Sequence, residues 1–155
     1  MNIMSAEFIK GVVKKDEILS DGKPQVCFIG RSNVGKSSLI NALTNKKGLA
    51  RMSSTPGRTQ QINVFLINRA FYLVDLPGYG FAEMSRKGQD QLQAIISWYL
   101  WKSNYKQKKV VLILDAKVGP TVNDLEMLRT LEEYDKDVII VANKVDKLKS
   151  SECTK

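Results

Sequence analysis

Histidine is absent from the 155 residues, which excludes any mechanism built on an imidazole base, a histidine metal ligand or a histidine pH switch. Cysteine is nearly absent. Cys27 lies inside the apolar run Val26-Cys27-Phe28-Ile29 and Cys153 lies near the C-terminus, without metal-type spacing, so disulfide and zinc roles are not expected. No stretch approaches the roughly 18 consecutive apolar residues of a membrane span. The N-terminus MNIMSAEFIK has no basic segment followed by an apolar run, and the chain is expected to be cytoplasmic. Acidic residues are outnumbered, 16 against 24 Lys and Arg, for a formal charge of +8. That balance favours polyanionic partners such as nucleic acid or a ribosome through counterion release and steering, with plain solubility as the alternative.

What is present is a composition of 43% hydrophobic and 26% charged residues, enough to bury a real core, and a single domain over 1–155 is expected. Apolar runs alternate with amphipathic ones, the pattern of a three-layer α/β fold around a mostly parallel sheet. Strands are expected near Gln25 to Ile29, Ile62 to Asn68, Phe71 to Val74, Val110 to Leu114 and Val138 to Ala142, the second and third as an antiparallel edge hairpin turning near Arg69. Helices are expected near Gly35 to Leu43, Gln89 to Trp101 and Val122 to Tyr134. The second would bury Leu92, Ile95, Ile96, Tyr99 and Leu100, and the third carries Leu125, Leu128 and Leu131 at helical spacing. The N-terminal residues and the Ser20 to Pro24 turn read as linkers, and Asn45 to Gln61 as a polar loop.

Gly30-Arg31-Ser32-Asn33-Val34-Gly35-Lys36-Ser37 matches the phosphate-binding loop pattern between a strand and a helix. The glycines let backbone amides approach phosphate oxygens, and the helix N-terminus adds positive potential. Lys36 would reach the β- and γ-phosphates and the Ser37 hydroxyl would ligate magnesium. Base choice falls to Asn143-Lys144-Val145-Asp146 after the last apolar run. The Asp146 carboxylate can accept hydrogen bonds from the guanine ring nitrogen and exocyclic amine. Facing adenine it would go unpaired, at a cost of roughly 1 to 3 kcal/mol. Asn143 would hold the loop and the purine, and the Lys144 stem would lie over the base. Asp75-Leu76-Pro77-Gly78 ends a strand, so Asp75 would hold magnesium through water and the Gly78 amide would sense a γ-phosphate. Thr59 is the favoured second magnesium ligand, with Thr55 the alternative.

The runs G-R-S-N-V-G-K-S-S from Gly30 to Ser38, T-P-G-R-T-Q from Thr55 to Gln60 and D-L-P-G-Y-G-F-A from Asp75 to Ala82 are similar to those of the EngB (YihA/YsxC) GTPases, within the Era/TrmE-like P-loop group. The resemblance covers about Pro24 to Lys147. It implies a Ras-like fold, GTP/GDP and magnesium dependence, association with the large ribosomal subunit and its RNA during assembly, and a requirement for cell division and septation. Carried residue by residue, it places nucleotide contacts on Gly30, Arg31, Ser32, Asn33, Val34, Gly35, Lys36, Ser37 and Ser38, and on Gly57, Arg58, Thr59, Gln60 and Gln61. Further contacts fall on Asp75, Leu76, Pro77 and Gly78, and on Asn143, Lys144, Val145 and Asp146. Magnesium falls on Ser37 and Thr59. Two departures stand out. Family members commonly have threonine at the position of Asn143, and their pattern continues past Lys155 with a further strand, a Ser/Ala guanine loop and a closing helix. Ser150-Ser151-Glu152 resembles that loop only superficially and reads as the start of a helix. On this resemblance the fold is expected to lack its last strand and helix, leaving one sheet edge uncovered.

Tyr79 stands where many Ras-like enzymes carry a water-orienting glutamine. Hydrolysis is therefore expected to be slow in isolation, resting on Lys36, Thr59, Gly78, magnesium and loop amides until a ribosomal partner completes the site. Asn33 matches the asparagine that helps hold potassium in related potassium-activated GTPases; loop capping is the alternative, and Arg31 and Arg58 are the other candidates to supply charge. A monomer is expected, and a GTP-gated module with negligible turnover is the rival to an enzyme. Trp98, Tyr99, Trp101 and Tyr105 with Lys102, Lys106, Lys108 and Lys109 are either an RNA-contacting cluster or core packing under a lysine face.

Overall fold

Side chains alternate faces along a strand, so an apolar run such as Gln25–Gly30 can fill two cores at once. In the computed structural model, which describes residues 2–50, 61–80, 84–105 and 107–149, Cys27 and Ile29 enter one core and Phe28 the other, each 2% exposed or less. This strand is β2, at the middle of a six-stranded sheet. In chain order the strands are β1 (Ala6–Val12), β2 (Gln25–Gly30), β3 (Ile62–Ile67), β4 (Phe71–Asp75), β5 (Gln107–Asp115) and β6 (Val138–Asn143); across the sheet they run β1-β3-β4-β2-β5-β6. The β4-β2-β5-β6 pairs are parallel, while β1-β3 and β3-β4 are antiparallel.

Helix α1 (Lys36–Thr44) supplies Ile40 to one core. Helices α2 (Arg86–Ser97) and α3 (Val122–Glu133) supply Ile96, Met127 and Leu131 to the other. The result is the three-layer arrangement the alternating pattern implies. Helix α2 begins at Arg86, earlier than its apolar spacing suggests, because the Ser85 hydroxyl accepts the Gly88 amide at 3.3 Å as an N-cap. It then widens into a π-type turn over Trp98–Lys102, closed by the Ser103 amide donating to Trp98 O at 2.8 Å.

Three expectations are corrected. The N-terminal residues are no linker: Ala6–Val12 pairs antiparallel with β3, from Ala6 opposite Ile67 to Val12 opposite Ile62. The β3-β4 hairpin is therefore antiparallel as expected but lies inside the sheet, with β1 at its edge. The segment carries little apolar signal because an edge strand meets solvent along much of its length, and only Ala6 and Val12 are buried. On α3 the buried face is Asp124, Met127 and Leu131, while Leu125 is 44% exposed; the helical period holds but its phase is set by a polar contact of Asp124. At the far edge, Ile139 and Ile140 on opposite faces of β6 are 45% and 51% exposed.

Candidate functional site

Parallel strands all end at the same side of a sheet, where open α/β folds bind their ligands. Here β4, β2, β5 and β6 deliver Asp75, Gly30, Asp115 and Asn143 to that side, neighbouring strands being about 4.8 Å apart. The loop after β2 turns through left-handed residues at Asn33 (φ 63°) and Gly35 (φ 97°). Gly35 is the N-cap of α1 and brings no capping side chain, so the positive end of the helix dipole faces the loop. A Cβ at Gly35 would come within 2.3 Å of Asn143 Nδ2, besides adopting a backbone that side chains disfavour.

The Asn143 Nδ2 donates to Val34 O at 2.8 Å and so ties the Asn143-to-Asp146 segment to the Gly30-to-Ser38 loop. Lys144 also adopts φ 62°, and its ammonium pairs with Asp115 Oδ2 at 2.6 Å. That hydrogen bond holds the Asp115 carboxyl below its usual range. The lysine is thus fixed at its tip. Val145 and Asp146 lie exposed on a 3-10 turn, Val145–Lys147.

Asp75 is 6% exposed at the end of β4, and its Oδ1 is buried without a hydrogen-bond partner among the described residues. The Lys36 ammonium stands 3.9 Å away. Burial pushes the Asp75 carboxyl up, opposed by Lys36 and by Asn63, its cross-strand partner on β3. Gln61, at the foot of β3, donates to Asn63 Oδ1 at 3.0 Å. An orphaned carboxylate oxygen beside the phosphate-loop lysine, with Ser37 on the next residue, fits a hard divalent cation bound through oxygen and water. The described residues hold no cluster of three or more His, Cys, Asp or Glu, so such a cation would take most ligands from hydroxyls, phosphates and water.

The Asp75-Leu76-Pro77-Gly78 turn is zipped to the phosphate loop. Ser32 N donates to Tyr79 O at 3.0 Å and Tyr79 N to Gly30 O at 3.3 Å. A Cβ at Gly78 would sit 3.0 Å from Ser32 Cα, N and Oγ, so a larger residue would press the turn away from the loop by a few tenths of an ångström. Leu76 is core, its amide donating to Phe28 O; Pro77 is buried beside it. Beyond Gly78, the Tyr79 hydroxyl donates to Asp124 Oδ1 at 2.7 Å, with the two residues 8% and 3% exposed. Asp124 Oδ2 accepts from Thr121 N and Oγ1, forming the capping box of α3. Desolvation and that hydrogen bond push the Tyr79 phenol well above its usual range. Asp115, Asp124 and Asn63 were missed from sequence; an aspartate ending an apolar run was the signal for the first. Thr55, Gly57, Arg58, Thr59, Gln60 and the Ser150-Ser151-Glu152 stretch lie outside the described residues.

This fold and site define a P-loop GTPase. Residues 25–144 match the family described as "50S ribosome-binding GTPase". The probable GTP-binding protein EngB of Clostridium perfringens (strain SM101) is 46% identical over 155 residues, covering 100% of this chain and 78% of the relative. A crystal structure of a probable GTP-binding protein EngB superposes with a TM-score of 0.69 at 30% identity, over 81% of this chain and 73% of that one. Era in complex with MgGDPNP and nucleotides 1506–1542 of 16S ribosomal RNA superposes with a TM-score of 0.63 at 25% identity, over 84% and 43%. The chain belongs to the EngB family of GTP-binding proteins. No helix among the described residues is long and apolar enough to cross a membrane.

Proposed function

We propose that this chain is a magnesium-dependent, slowly hydrolysing GTP switch, a single-domain cytoplasmic monomer that acts in large ribosomal subunit assembly and is needed for normal division and septation. The observation that carries the switch is the zipped turn: Gly78 lies against Ser32 while the buried Asp75 Oδ1, beside Lys36, has no hydrogen-bond partner among the described residues. The ribosomal role is supported by the family's description, and the link to septation by resemblance alone.

Ser37 and Thr59 would hold magnesium directly and Asp75 through water; the bound ion would neutralise charge on the β- and γ-phosphates. Lys36 and the amides of the Gly30–Ser38 loop bind and orient the phosphates. The Gly78 amide would read a γ-phosphate, and Asp146 would read guanine. Slow turnover is supported by Tyr79, whose buried hydroxyl is donated to Asp124 and cannot position an attacking water. This also favours the second reading, an occupancy-gated module. Asn33, exposed at the loop apex, is the residue offered to potassium.

Displacement of a fluorescent guanine nucleotide by GTP and GDP but not ATP is expected, and displacement by ATP would sink the guanine reading. Multiple-turnover phosphate release should be slow alone and rise with large ribosomal subunits. Negligible release with subunits present would leave the occupancy module. Equal rates in potassium and sodium chloride would remove the role of Asn33.

A further inference from the structure

Trp98, Tyr99, Trp101 and Tyr105, grouped by sequence, take different places in the fold. Tyr99 is fully buried and its hydroxyl donates to Gln25 Oε1 at 2.7 Å. Trp101 stacks on Tyr134, with ring centroids 4.8 Å apart. Lys109 is paired with Asp137. What remains is a cleft of about 810 Å³ walled by Trp98 and Tyr105 and rimmed by Lys15, Lys23, Lys102 and Lys108. Among the described residues, no aspartate or glutamate lines it. Lys23 is paired with Asp21, whereas Lys15, Lys102 and Lys108 have no ion-pair partner among the described residues.

We propose that this cleft binds a short single-stranded RNA segment, Trp98 and Tyr105 receiving a base and Lys15, Lys102 and Lys108 its flanking phosphates. Its volume lies in the range of ligand pockets. The two rings meet edge to face, 5.8 Å apart at 88°, and both are half-buried. The Tyr105 hydroxyl is held by the backbone of Asp16, accepting its amide at 3.3 Å and donating to its carbonyl at 3.4 Å. The aromatic wall is therefore set before any ligand arrives, which lowers the ordering cost of stacking. Lysines alone would suit an acidic peptide equally; a fixed aromatic wall beside them is the pairing that single-stranded nucleic acid uses.

The cleft lies before β2 and β5, at the end of the sheet opposite the phosphate loop. Six residues of β2 separate the two sites, about 17 to 20 Å at ~3.3 Å per residue, so RNA and GTP can be bound together. The inference rests on the ribosomal reading only for the source of the RNA.

The test is fluorescence anisotropy of a labelled oligouridine of about 12 nucleotides titrated with the full chain and GDP, from ~50 to ~200 mM KCl. The K15A/K102A/K108A variant should bind more weakly and flatten the log-log salt slope by about 2, at ~0.7 per phosphate contact. K47A/K87A/K117A, which removes exposed lysines elsewhere, should leave most of the slope. Trp98→Ala should lose about 5- to 100-fold in affinity, and Trp98→Phe should recover part of it. Unchanged fluorescent-GDP affinity reports that each variant is folded. Equal losses in the two triple variants would overturn the proposal, as would an oligoglutamate of equal charge displacing the RNA more readily than RNA displaces itself. Failure to cosediment with large subunits while the oligouridine still binds would sink the ribosomal reading and support the cleft.

Discussion

Replacing Tyr79 by Phe removes one hydroxyl from the segment that follows Gly78 and nothing else. The Tyr79 to Asp124 hydrogen bond is 2.7 Å long, between groups 8% and 3% exposed, so solvent cannot substitute for it. A hydrogen bond to a charged partner contributes about 1.5 to 3 kcal/mol. At roughly 2 to 4 °C per kcal/mol for a chain of this size, the melting temperature should fall by about 3 to 12 °C. Asp124→Asn should cost at least as much, because Oδ2 also caps α3 through Thr121. In a double-mutant cycle the two changes should couple by about 1.5 kcal/mol or more, since either alone breaks the same bond. Because the bond ties the Gly78 turn to α3, Tyr79→Phe should also alter the ratio of GTP to GDP affinity. Additive melting shifts in the cycle, or a Tyr79→Phe melting temperature within about 1 °C of wild type, would refute the latch.

Asp75→Asn should melt higher than wild type without nucleotide, because burial raises the native carboxyl and its charge at neutral pH therefore opposes folding. In nucleotide titrations with and without a chelator, the same variant should lose most of its magnesium dependence, about tenfold or more. Asn143→Ala removes the bond to Val34 O that ties the Asn143-to-Asp146 segment to the Gly30-to-Ser38 loop, so guanine nucleotide affinity should drop about 5- to 100-fold by competition binding. The Asp115 carboxyl is lowered in the folded chain by Lys144, so its contribution is present above the unfolded value near ~3.9 and fades as pH falls through the lower native value. Melting scans should accordingly show the Asp115→Asn deficit at pH 7 shrinking only below about pH 4. Cys27 is fully buried and its thiol is pushed up to about 12, so alkylation of Cys27 at pH 8 should require denaturant, as peptide mass mapping would report.

The amino-acid sequence by itself determined the features that are contiguous along the chain. The Gly30–Ser38 loop, the Asp75-to-Gly78 turn and the Asn143-to-Asp146 segment each carry their chemistry in a few adjacent residues, and apolar spacing placed five strands and three helices to within a few positions. Tertiary structure alone decided what depends on register between distant segments. Asn143 reaches Val34 across 109 positions, Tyr79 reaches Asp124 across 45 and Lys144 reaches Asp115 across 29. None of these pairings has a local pattern, because a polar side chain's partner is whatever the packed strands bring within about 3 Å. The same holds for β1, whose single-sided edge position blurs its alternation, and for the aromatic cluster, which chain proximity groups and packing divides among the core, α3 and an open basic cleft.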